Sequence, residues 1–124
     1  MKYFFKFSLI GGLGFFVDTM IFYMANSMFT ELSSRILSFS MAVLFTYVFN
    51  RLYTFKVKTN INIVEFFKYY LNMIFGGIVN IGTFFVVIRF SDIGRDYPFC
   101  GIALGSVAGL CINFLTSKIL LATK

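Results

Sequence analysis

The chain has 124 residues, of which 59% are hydrophobic and only 13% charged, against about 25% charged in ordinary water-soluble domains. Nineteen phenylalanines in so short a chain would leave large apolar patches in water, whereas a lipid exterior tolerates them without cost. The net charge of +6 does not point to nucleic acid, because the basic residues sit between apolar runs instead of forming one stripe; anionic lipid headgroups are the expected counterpart.

Histidine is absent, and the two cysteines, Cys100 and Cys111, fall in one expected helix about 16 Å apart at the helical rise, too far for an intrachain disulfide. Neither a zinc site nor a cysteine–histidine nucleophile can be assembled from this inventory. No metal, cofactor or catalytic centre is expected, and the class is an all-α polytopic membrane protein rather than an enzyme.

The opening MKYFFKFSLIGGLGFF has the basic start and apolar run of a signal peptide. It lacks a small-x-small cleavage site before Asp18, and the apolar stretch continues to about Met28. Phe4 to Met28 is therefore read as the first span. Asp18 is the only acid deep in a span, where a carboxylate costs roughly 2.5–3.5 kcal/mol on insertion scales. It must be protonated, face water, or pair with a cation such as Arg51 or Lys118. A hydrogen-bonded packing acid and a member of a polar substrate or proton path are both open readings.

The second span, Arg35 to Phe49, is short, so Arg35 and Arg51 are expected to snorkel to the headgroups or the bilayer to thin around them. The polar stretch from Lys56 to Asn62 is the one real linker. Third and fourth spans follow at Tyr69 to Phe90 and Phe99 to Leu121, while the first and third connections are short enough for tight helical hairpins.

Lys2, Lys6, Arg51, Lys56, Lys58, Lys68, Lys118 and Lys124 fall on one side of this arrangement. Arg35, Arg89 and Arg95 fall on the other, offset by Glu31, Asp92 and Asp96. Lysine and arginine accumulate on cytoplasmic loops, so both termini and the central linker are expected in the cytoplasm, with the protein in the inner (cytoplasmic) membrane.

The chain also repeats. Placing Phe4-Phe5-Lys6 over Phe66-Phe67-Lys68 sets Leu9 on Leu71, Gly14 on Gly76, Val17 on Val79, Asp18 on Asn80 and Phe22 on Phe84. After a five-residue insertion in the third connection, Leu37 falls on Leu104 and Asn50-Arg51 on Ser117-Lys118. One domain, 1–124, is thus expected to hold two repeats, about 4–55 and 66–121. Because each repeat holds two spans, both enter the membrane in the same direction, giving two hairpins related in parallel.

Small or polar residues recur at every fourth position of the second and fourth spans, drawing one face on each. They are Ser34, Ser38, Ala42, Thr46 and Asn50, then Gly101, Gly105, Gly109, Asn113 and Ser117. The glycines read first as close helix packing, and they also motivate at least a homodimer. For Asn50, Asn113 and Ser117 a polar cavity is as good a reading as packing. Arg51 and Lys118 each close a span directly after a small polar residue, placing a cation where an anionic ligand would meet it; ordinary anchoring by interfacial cations is the alternative.

Ile10-Gly11-Gly12-Leu13-Gly14 through Asp18, then Phe49-Asn50-Arg51-Leu52-Tyr53-Thr54-Phe55, then Asn113-Phe114-Leu115-Thr116-Ser117-Lys118, resemble the GtrA-like family of small four-span proteins over nearly the whole chain. The chain departs from that pattern at Thr46, where an asparagine is expected, and in lacking an aromatic ending after Lys118. The resemblance implies a flippase for polyprenyl-phosphate-linked sugars that serves cell-surface polysaccharide glycosylation, with membrane lipids and a membrane glycosyltransferase as partners. The alternative is a non-transporting accessory or scaffold subunit of such a glycosyltransferase. On the transport reading Arg51 and Lys118 hold the phosphate, Asp18, Asn80 and Asn113 line the path of the sugar hydroxyls, and Asn50 and Ser117 are further substrate-binding candidates. So small a bundle has little interior, which favours a groove completed by a second copy.

Overall fold

The computed structural model describes residues 2–122, without the side chains of Glu31, Pro98, Phe99 and Ile102. Lys124, counted above with the basic residues, lies outside the described residues, as does the Glu31 carboxylate. The described residues form helices α1 (Lys2–Asn26), α2 (Glu31–Phe49), α3 (Ile63–Phe90), α4 (Asp92–Asp96) and α5 (Pro98–Leu121), with a π-helical turn, Asn50–Thr54, continuing α2. Helical segments long and apolar enough to cross a membrane run over Lys2–Asn26, Leu32–Thr54, Ile63–Phe90 and Ala103–Leu121. Only helices satisfy every backbone group inside lipid without a closed barrel. This is an all-α, multi-pass membrane protein.

The four apolar runs become helices at nearly the expected places, and the differences have local causes. Thr30 caps α2 by accepting from the Ser33 N–H at 3.2 Å, so that helix starts at Glu31 and not at Arg35. At its far end the π turn carries the span on to Thr54. The second span is therefore 23 residues, Leu32–Thr54, against the roughly 20 that cross a bilayer. Helix α3 begins at Ile63, earlier than the expected Tyr69, with Asn62 Oδ1 accepting the Val64 N–H at 2.7 Å. The third connection winds into the short α4, capped by Ser91.

The chain divides into two compact units, one comprising Met1–Tyr70 with Leu120–Lys124 and the other Leu71–Ile119. In the first, α1 and α2 pack closely enough that a methyl on Gly14 would stand 2.5 Å from Thr46 Cγ2 and 3.8 Å from the Ala42 carbonyl oxygen. In the second, α3 and α5 do the same at the positions the repeat pairs with these. A methyl on Gly76 would run into the Asn113 side chain, and one on Gly109 would lie 2.8 Å from the Gly76 carbonyl oxygen.

The glycine stripe of α5 is used inside the chain. Gly101 meets Phe84, Gly105 meets Asn80 and Gly109 meets Gly76 and Asn80, so every fourth residue of α3 fits against every fourth residue of α5. This is the close helix packing that the glycines suggest first, made between α3 and α5.

Candidate functional site

The densest buried polar group lies in the first unit, where α2 runs into the π turn. Asn50, Arg51 and Thr54 of the turn and Glu65 of α3 are all buried, with Arg51 only 2% exposed. Arg51 Nε donates to Glu65 Oε1 at 2.7 Å. Its Nη1 donates to the Thr59 carbonyl at 2.6 Å, and Nη2 to Thr59 Oγ1 and the Asn60 carbonyl, both at 2.9 Å. The same Glu65 oxygen accepts from the Tyr47 hydroxyl at 2.7 Å. One guanidinium thus ties α2, the linker and α3 together, with four of its five N–H donors engaged.

The local sequence explains this geometry. The widened turn is closed by the Phe55 N–H donating to the Asn50 carbonyl at 2.9 Å, and Val57 N–H returns to the Arg51 carbonyl at 2.9 Å. Lys56 takes a left-handed backbone, φ 51°, to make that return and bury Val57; single residues adopt this region as helix terminators. Asn50 Nδ2 donates to the Tyr69 hydroxyl at 3.1 Å, and Thr54 Oγ1 donates to Asn50 Oδ1 at 2.8 Å. Phe55 stacks on Tyr3 with ring centroids 6.0 Å apart and lies 6.4 Å from Phe7. The asparagine, arginine, threonine and phenylalanine of the Asn50–Phe55 segment each have a defined internal contact.

Arg51 is therefore no snorkelling or surface-facing cation, and it does not neutralise Asp18. The cation at Asp18 is Arg35, Nη1 to Oδ1 3.8 Å, with the Asp18 side chain 20% exposed and Arg35 56% exposed. The Arg35 guanidinium sits over the Phe22 ring, 5.4 Å from its centroid.

The second unit holds the other expected residues. Asn80 and Asn113 share the α3–α5 interface, Asn80 against Gly105 and Gly109 and Asn113 against Gly76. Asn113 Oδ1 and the fully buried Ser117 Oγ have no hydrogen-bond partner. Lys118, the next residue, is exposed. The structure brings Asn80 and Asn113 to one interface and Asn50 to Arg51, while Asp18 joins Arg35 instead of the expected cations.

Sequence reasoning missed Glu65, Tyr47, Tyr69 and Thr59. Glu65 had a readable signal, since it is the one acid within a stretch of basic residues from Lys56 to Lys68. Tyr47 and Tyr69 carry no pattern distinct from ordinary aromatic packing, and Thr59 none distinct from an ordinary polar linker residue. No group of histidine, cysteine and carboxylate side chains able to hold a metal occurs among the described residues.

Residues 6–122 match the family model described as GtrA/DPMS, transmembrane domain. No curated protein and no solved structure matches the chain.

Proposed function

Because this chain belongs to the GtrA/DPMS transmembrane-domain family, we propose that it flips a polyprenyl-phosphate-linked sugar across the cytoplasmic membrane for glycosylation of cell-surface polysaccharide. The observation that carries this reading is the polar end of α5: Asn113 Oδ1 and Ser117 Oγ are buried without partners, directly before an exposed Lys118. An unpaired buried acceptor or hydroxyl is costly, and sugar hydroxyls passing along the helix would satisfy both. Lys118 supplies a mobile positive charge for the phosphate, and Asn80 adds a second amide at the same helix interface. The polyprenyl tail stays in lipid, where it needs no protein cavity.

Arg51 has a different part from Lys118 in this scheme. Its guanidinium is engaged by Glu65, Thr59 and Asn60, so it shapes the cytoplasmic end of the first unit and leaves the phosphate to Lys118. The excess of lysine and arginine on the side of the termini and the linker supports a cytoplasmic position for them. The product would be consumed by a membrane glycosyltransferase on the far side. The protein contributes no catalytic step or cofactor, and a second copy would complete a groove too large for one small bundle.

The test is reconstitution into liposomes containing a polyprenyl-phosphate sugar, with impermeant periodate added outside. Protein-free vesicles should keep the inner-leaflet sugar protected, whereas wild-type protein should expose it, and Lys118→Gln and Asn113→Leu should slow that exposure. If the folded wild-type chain exposes no additional sugar, the transport reading fails. A non-transporting subunit of the glycosyltransferase then becomes the better account, consistent with a first unit whose polar cluster is internally satisfied.

A further inference from the structure

Arginine inside a membrane-spanning helix requires an anion and acceptors for its five donors. Arg35 has half of this. Asp18 lies 3.8 Å away, close enough to offset charge but too far for a hydrogen bond, and Asp18 Oδ1 is itself without a hydrogen-bond partner. The Arg35 side chain is 56% exposed, with its guanidinium held over the Phe22 ring at 5.4 Å. No acceptor among the described residues takes its N–H groups. Arg35 lies four residues after the start of α2, about 6 Å along the helix, near a helix end from which long arginine side chains extend to lipid headgroups.

We propose that Arg35, seated over Phe22 and facing Asp18, is a binding site for the phosphate ester of a membrane lipid at the end of the first hairpin that carries residues 27–30. The planar fork of arginine matches two phosphate oxygens at once, and the aromatic face fixes the plane of that fork while leaving its edge to the ligand. Asp18 is the resident counter-ion. It holds the charge when the site is empty and competes with the phosphate when the site fills. The site is built from other residues than Asn113, Ser117 and Lys118, and it does not rest on the transport reading, because a phosphate ester can bind here whether or not it is carried across.

Equilibrium binding to the purified full chain in neutral-detergent micelles tests this, with a long-chain polyprenyl phosphate, phosphatidylglycerol and inorganic phosphate as separate probes. Arg35→Gln should weaken lipid-phosphate binding about tenfold or more, the loss expected for a charge-assisted bidentate pair. Arg35→Lys, which keeps the charge and loses the fork, should fall between Gln and wild type. Asp18→Asn should tighten binding by removing the competing charge, a change of sign that a merely structural role would not produce. Preference for the polyprenyl probe assigns the site to a lipid-linked carrier, and equal binding of phosphatidylglycerol assigns it to bulk headgroups; both uphold a lipid phosphate-ester site. Wild-type affinity in folded Arg35→Gln overturns the proposal, as does inorganic phosphate binding as tightly as either lipid. Failure of Asp18→Asn to tighten binding overturns the role given to Asp18.

Discussion

Arg51 and Arg35 show how much the surroundings of a side chain decide its work. Both are arginines near the ends of one span, yet Arg51 is buried against a carboxylate and three other acceptors and Arg35 stands open over a ring. Removing one member of a buried ion pair strands the other, a loss of about 3–5 kcal/mol, whereas replacing both with apolar residues of similar volume is often tolerated. Arg51→Gln and Glu65→Gln should therefore each lower the unfolding midpoint markedly in a detergent titration. The paired change Arg51→Met with Glu65→Leu should recover much of that loss only when Tyr47→Phe is added, because the buried Tyr47 hydroxyl also loses its acceptor. Lys6→Gln should leave the midpoint where it was. A wild-type midpoint for Arg51→Gln would mean that Glu65 finds another partner and that the pair does not hold the linker.

At the scale of the helix, glycines sort by what stands opposite them. Gly11, Gly12, Gly77 and Gly82 have open space where a Cβ would go, while Gly14, Gly76, Gly101, Gly105 and Gly109 abut a neighbouring helix. Gly105→Leu should split the α3–α5 pair, because even a methyl there would press on Asn80, and overpacking costs about 1–3 kcal/mol for far smaller additions. Gly82→Ala should be neutral or slightly favourable, since alanine is the better helix former. Thermal unfolding of the two variants in detergent checks the contrast. Equal stability would show that α3 and α5 can separate without loss.

For the whole molecule, the lysine and arginine distribution predicts which way it sits in the membrane. Asn60 is exposed in the linker and uses its carbonyl, not its side chain, to hold Arg51, so Asn60→Cys should fold normally. With Cys100 and Cys111 replaced, this cysteine should resist an impermeant thiol reagent in intact cells and react after lysis. Ser27→Cys, in the α1–α2 connection, should behave in the opposite way. Labelling of Asn60→Cys in intact cells would reverse the orientation inferred from the lysine and arginine distribution.

The apolar content and the lengths of its runs determined by themselves that this chain is a helical membrane protein, since lipid leaves the backbone few choices. The every-fourth-residue stripes likewise announced the helix faces that pack, because the helical period puts such residues on one line. Sequence spacing could not tell which surface those faces meet: the stripe Gly101, Gly105, Gly109 suits a second copy and α3 equally, and only tertiary packing gave it to α3. Charge partners were legible least of all. Asp18 pairs with Arg35 and Arg51 with Glu65, and both choices follow from antiparallel helix packing and a π turn, neither of which leaves a periodic mark in the chain. Long-range electrostatic pairing depends on which side chains are brought within a few ångströms, and that distance exists only once the helices have docked.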